Sequence, residues 1–163
     1  IDVRAKLPKS VGSWPAIWTM GTNVGEIGNY HGDQDGSVGW PKCGEIDIME
    51  QNGSNKQILY GTFHWADNSS QQASYGLTKD INSLGITDVT DEFHLYSLEW
   101  TSGILRIYVD NLLVCEIMNN DSVPFDNPHY LILNVAMGGT LGGDIPGDFI
   151  QDSMEIDFVR FYK

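Results

Sequence analysis

Apolar and polar side chains alternate along much of the chain, with the two-residue period of strands that bury one face. Over 2–7, Val3, Ala5 and Leu7 alternate with Asp2, Arg4 and Lys6, and Pro8 ends the run. Over 57–65, Leu59, Gly61, Phe63 and Trp65 lie opposite a polar face carrying Thr62 and His64. Segments 93–100, 104–110 and 113–118 predict a meander, with Thr101-Ser-Gly103 and Asp110-Asn111 as turns. Glu99 and Arg106 are expected to pair on its outer surface, with little effect on stability. A strand over 129–137 carries Asn134 as its one polar interior member, and 155–162 closes the series. The stretches 21–40 and 66–90 are rich in Gly, Asn, Ser and Asp and predict loops. The second is expected to cross the surface and form a cleft rim.

Eighteen glycines among short β-rich runs point to an all-β sandwich of two antiparallel sheets. The 163 residues make one domain, 1–163, long enough for a sizeable core. No apolar run approaches the roughly 20 residues a membrane-crossing helix needs, so no membrane partner is expected. With 9 basic against 22 acidic residues the net charge is −13. Such a chain repels phosphate backbones, which argues against nucleic acid. A neutral polysaccharide is indifferent to that charge, and 18 aromatic residues supply flat faces for sugar rings. Cys43 and Cys115 are the two cysteines, which leaves a disulfide and two buried thiols both open.

The chemistry concentrates in Gly44-Glu-Ile-Asp-Ile-Met-Glu50. In a regular strand Glu45 and Asp47 share a face, whereas Glu50 falls among the isoleucines, where a bare carboxylate costs several kcal/mol. A β-bulge near Ile48-Met49 removes the conflict: it returns Glu50 to the face of Glu45 and Asp47 and buries Met49. Like charges packed so closely cannot all stay ionised, so at least one pKa must rise. A protonated carboxyl beside an ionised one is what glycoside hydrolysis uses. The plain alternative is a solvent-facing edge strand with scattered acids. A helix would spread the acids over more than one face. A hard cation also suits three acids, although the spacing lacks a calcium loop's central Gly.

Other residues gather around this strand in the reading. Trp14 and Trp18 share a strand face, as sugar-stacking indoles or as core. The 21–40 loop holds Asn29, Tyr30, His31, Asp33, Asp35 and Trp40. Trp40 precedes the acidic strand closely enough to shape the same groove, whereas His31 reads as a solvated loop residue. As neighbour to the acidic strand, 57–65 is expected to bring His64 beside Glu50.

Gly44 to Glu50 resembles the E-x-D-x-x-E signature of glycoside hydrolase family 16, and the inserted Met resembles its laminarinase branch. Val3-Arg-Ala-Lys-Leu-Pro8, Trp14-Pro-Ala-Ile-Trp18, Gly61-Thr-Phe-His64 and Tyr96-Ser-Leu-Glu-Trp100 resemble the same family in order. So do Leu131-Ile-Leu-Asn134, Met137-Gly-Gly139 and Ile156-Asp-Phe-Val-Arg-Phe-Tyr162. The resemblance implies a jelly-roll β-sandwich with a concave cleft, a β-1,3-glucan or mixed-linkage β-glucan substrate, and secretion as a monomer. It also implies that the chain lacks about 60–90 N-terminal residues of a single-domain sandwich.

The resemblance makes Glu45 the nucleophile and Glu50 the acid/base of a retaining reaction, with carboxyls about 5–5.5 Å apart. Asp47 orients Glu45. Trp14, Trp18, Trp40, His64 and Asn134 become substrate contacts, with Trp18 nearest the scissile bond. No cofactor is expected for catalysis. Asp157 takes the position of a structural calcium ligand. The rival from another class is a lectin-like module that binds β-glucan without cleaving it.

Overall fold

The computed structural model describes residues 1–25 and 36–163. Among these, ten strands form two five-stranded antiparallel sheets. In chain order they are β1 (Asp2–Lys6), β2 (Ser13–Gly21), β3 (Glu45–Gln51), β4 (Ile58–Ala66) and β5 (Gln72–Asp80). After them come β6 (His94–Trp100), β7 (Ile104–Val109), β8 (Leu112–Met118), β9 (His129–Met137) and β10 (Glu155–Arg160). One sheet runs β10-β1-β6-β7-β8, the other β5-β4-β3-β2-β9. The acidic strand β3 is thus the central strand of its sheet. Asn29, Tyr30, His31, Asp33 and Asp35 of the predicted loop lie outside the described residues.

The alternation read from the sequence builds the core. Val3 and Ala5 of β1, Leu105, Ile107 and Val109 of β7, and Leu59 and Phe63 of β4 are all buried. Gly61 faces across the sandwich. A Cβ there would lie 3.2 Å from Ile107 Cδ1 and 3.3 Å from Val114 Cγ1, so the strand opposite the bulge gives up a side chain to let the sheets close. The β7–β8 hairpin turns through Asp110 and Asn111, both at positive φ, as a two-residue turn of this hand requires. Arg106 meets Glu99 at 3.2 Å and Glu116 at 2.9 Å on the exposed face. Cys43 and Cys115 are buried thiols in different apolar clusters.

One element departs from the sequence reading. The 66–90 excursion contains β5, which pairs along its whole length with β4, from Ile58↔Asp80 to Ala66↔Gln72. Asp67 organises the hairpin turn by accepting from the backbone N–H groups of Ser69 and Gln71. β5 is an edge strand with most positions exposed, so its composition carries no core alternation. The chain then returns to the core, burying Ile81, Ile86 and Val89.

Candidate active site

The predicted bulge is present. β2 pairs Ala16↔Glu50, Ile17↔Met49 and Trp18↔Asp47, so Ile48 is the extra residue. Against β4 the register likewise slips between Asp47 and Glu50. Ile48 and Met49 are each 1% exposed and both lie in the core. Two consecutive apolar side chains thus enter the same interior, and the desolvation of both fixes the irregularity. Its result is that Glu45, Asp47 and Glu50 line one groove of about 270 Å³, together with Trp14, Ala16, Trp18, Asn134 and Ala136.

Each glutamate receives an indole N–H. Trp40 Nε1 donates to Glu45 Oε2 at 2.9 Å, and Trp14 Nε1 donates to Glu50 Oε1 at 2.9 Å. Trp18 Nε1 donates to Asn134 Oδ1 at 2.7 Å, in register with the acids through Trp18↔Asp47 and Ala16↔Asn134. The three tryptophans expected as sugar contacts thus also act as donors that fix polar groups. Tryptophan is read from sequence as a flat apolar face, and nothing in its identity says where the N–H points. Ala16 and Ala136, not singled out beforehand, form small floor positions. The two-residue period from Trp14 through Ala16 to Trp18 carries that signal.

Two placements correct the sequence reading. His64 does not lie beside Glu50. β4 runs antiparallel to β3, so its C-terminal part meets the start of the acidic strand. His64 is the register partner of Glu45, Thr62 of Asp47, and Tyr60 of Glu50. His64 Nε2 contacts Asp47 Oδ2 at 3.1 Å, and its ring lies 5.8 Å from that of Trp40. Asn134 is exposed on the groove, not interior, because β9 is the edge strand of this sheet.

Burial pushes the Glu50 carboxyl up to about 7. The negative charge of Asp47 adds to this, and the Trp14 N–H opposes it. Burial, again followed by Asp47, pushes Glu45 up to about 7, while His64 and the Trp40 N–H pull it down. Desolvation therefore outweighs the like-charge repulsion expected from spacing alone. The Asp47 hydrogen bond is the main cause that raises His64. Asp47, 4% exposed, joins the pair: His64 Nε2 lies 3.1 Å from its Oδ2, and a carboxylate oxygen of each of Asp47 and Glu45 lies within 4.8 Å of the other. His64 is the register partner of Glu45 rather than of Glu50, which places its charge, when protonated, where it favours ionisation of Glu45.

A stability consequence follows with a definite sign. Glu50 holds its proton more tightly folded than unfolded, so its contribution is full below about pH 4.5 and is lost as pH rises through about 7. Glu50→Gln keeps an oxygen for Trp14 and removes the titration. At pH 8 the variant is expected to be more stable than the parent by about 1–2 kcal/mol, discounted for partial exposure. The gap closes near pH 4. Thermal melts at both pH values check this, and a gap that widens on acidification contradicts it.

Glu45, Asp47 and His64 each present one ligand atom within 4.8 Å of the others, a set that can hold a metal ion. Asp157 lies on β10 of the other sheet, where Arg4 Nη1 sits 2.6 Å from its Oδ2. A guanidinium thus stands where a calcium ion would have to approach that oxygen. Among the described residues, Asp157 belongs to no group of three His, Cys, Asp or Glu side chains close enough together to hold a metal ion. A larger hollow, about 1040 Å³, opens beside Ile1, Trp100, Phe125 and Tyr162. Its lining acids are Asp2, Glu99 and Asp126; Asp2 is tied to Ser97, and Glu99 to Arg106 and Tyr108.

Comparison with known proteins agrees with this geometry. LamA of Zobellia galactanivorans, solved as a variant with laminaritriose and laminaritetraose, is 50% identical with a TM-score of 0.88. The match covers 96% of this chain and 61% of that one. The "Keratan-sulfate endo-1,4-beta-galactosidase" of Sphingobacterium multivorum is 37% identical over all of this chain and 36% of its own length. The "Beta-glucanase" of Rhodothermus marinus is 32% identical, over 99% of this chain and 56% of its own length. The chain thus spans less than two thirds of each of these relatives. The profile described as "Glycosyl hydrolases family 16" matches residues 1–160, a span that includes the bulged central strand and its three acids: the chain belongs to glycosyl hydrolases family 16.

Proposed function

We propose that the protein is a retaining endo-β-glucanase that cleaves β-1,3-linked glucan such as laminarin, or mixed-linkage β-1,3-1,4-glucan. The observation that carries the reading is the bulge, which turns Glu50 to the side of Glu45 and Asp47. Protonated Glu50 gives its proton to the glycosidic oxygen while ionised Glu45 attacks the anomeric carbon. The leaving chain departs as an alcohol, and a glycosyl ester forms on Glu45. Neutralising Glu45 removes a negative neighbour, so Glu50, now ionised, accepts a proton from water. The resulting hydroxide attacks the same carbon, and Glu45 is released as carboxylate.

A neutral glucan is supported by the groove lining, which holds no Lys or Arg among the described residues. That speaks against a sulfated polysaccharide such as the keratan sulfate in the name of the Sphingobacterium relative. LamA bound to laminaritriose supports the β-1,3 linkage. A polymer too large to enter a cell supports an extracellular, secreted role, and the proposed state is a monomer.

Incubation with laminarin should release reducing ends, and proton NMR of early products should show the β-anomer first. First appearance of the α-anomer would overturn retention. Laminarin binding with no new reducing ends would instead favour the lectin-like module.

A further inference from the structure

The hydrogen bond from Trp14 to Glu50 has a chemical direction. Ala16 stands opposite Glu50 in the register and is too small to fill the space above it. The Glu50 carboxyl therefore reaches along β2 to the next residue on that face, Trp14, whose Nε1 lies 2.9 Å from Oε1. The indole itself is held in place. A Cβ on Gly139 would sit 3.4 Å from Trp14 Cζ3, and one on Gly142 would sit 3.6 Å from Trp14 Cβ. That turn is fastened at both ends. Gly53 N–H donates to Leu141 O at 2.7 Å, and Gly138 N–H donates to Gly12 O at 2.8 Å. Gly53 approaches Gly142 so closely that a Cβ would lie 2.1 Å from its carbonyl oxygen. The turn after β9, beside which Trp14 lies, is thus tied to the loop after β3.

An oxygen that accepts an N–H bond is a poor place for an acid proton. The proton of Glu50 therefore resides on the other oxygen. We infer that Trp14 is a positioning residue for Glu50: its indole N–H fixes Oε1 so that Oε2 delivers the proton to the leaving oxygen and recovers one from water. This rests on the proposed role of Glu50 as acid/base. As Oε2 gives up its proton, negative charge grows on the carboxylate and the Trp14 bond becomes charge-assisted. The bond is stronger in the transition state than in the ground state, so it acts on kcat.

Trp14→Phe keeps a stacking ring and removes the donor. On laminarin, kcat is expected to fall about 10–100-fold, the size of one hydrogen bond to a charged group, with KM within about twofold. The alkaline limb of the kcat–pH profile should move to higher pH, since the lost donor favoured the ionised acid. On 2,4-dinitrophenyl β-laminaribioside, whose leaving group departs without a proton, first-turnover release should stay within about threefold of the parent. A raised KM with an unmoved alkaline limb would overturn the inference and leave Trp14 as a sugar platform. Should the variant fail to fold, the parent protein still decides. Its ¹⁵N-labelled Trp14 indole cross-peak should titrate with the same midpoint as Glu50. A cross-peak indifferent to pH from about 5 to 9 overturns the inference. A parent that releases no reducing ends from laminarin sinks the hydrolase reading separately, and the cross-peak still judges the hydrogen bond.

Discussion

Glu45→Gln is expected to lower laminarin hydrolysis by at least about 10⁴-fold, the scale on which removal of a nucleophile acts in other hydrolases. An amide cannot form the glycosyl ester, so the first step has no acceptor for the sugar. The fold should hold. Gln retains an oxygen for the Trp40 N–H, and its neutrality removes the burial cost that pushes the Glu45 carboxyl upward. Laminarin affinity should therefore stay near that of the parent, since Trp18 and Asn134 are untouched. Reducing-end assays, with binding measured by calorimetry, separate the two quantities. Parent-like turnover in the variant would remove Glu45 from the mechanism.

Deleting Met49 is expected to cost stability while leaving the acid in the groove. The two strands flanking β3 both accommodate one extra residue between Asp47 and Glu50. Without it the strand alternates regularly, and the acid that then follows Ile48 falls on the face of Glu45 and Asp47, still opposite Ala16. The core loses the Met49 side chain, which is buried beside Ile48. Loss of a buried methionine costs about 2–5 kcal/mol. The deletion should therefore show a much lower Tm with turnover retained wherever the protein is folded, whereas Met49→Leu, nearly equal in volume, should cost under about 1.5 kcal/mol. Lost turnover in a folded deletion variant would show that the bulge does more than choose the face of Glu50.

The bulge was legible because regular alternation led to an untenable outcome at Glu50. Strands β1, β4, β6, β7 and β8 were legible because each keeps apolar residues on one face. β5 was not, since an edge strand wet over most of its surface has the composition of a loop. The interior placement of Asn134 failed for a related reason: nothing within 129–137 says that β9 closes its sheet. His64 was assigned to the right strand and to the wrong acid. A strand's own pattern gives its faces but not which of its residues meets which residue of the next strand. Spacing announces repulsion between Glu45, Asp47 and Glu50, whereas the removal of water around Glu45 and Glu50 depends on side chains of other segments, Trp14 and Trp40 among them, packing beside them.

The strand order also sets a timetable for synthesis. β2 sits between β3 and β9, and β1 between β6 and β10, so both early strands wait for partners more than 100 residues downstream. A ribosome that has emitted β8 has released β3 to β5 with β2 beside β3, and β6 to β8 with β1 beside β6, so each early strand has one neighbour and one bare edge. At roughly 5–20 residues per second, that wait lasts seconds. The nascent chain spends it with the Trp18 indole unanchored and an open ladder on β2. A chaperone that shields that edge until β9 emerges would have its largest effect on yield.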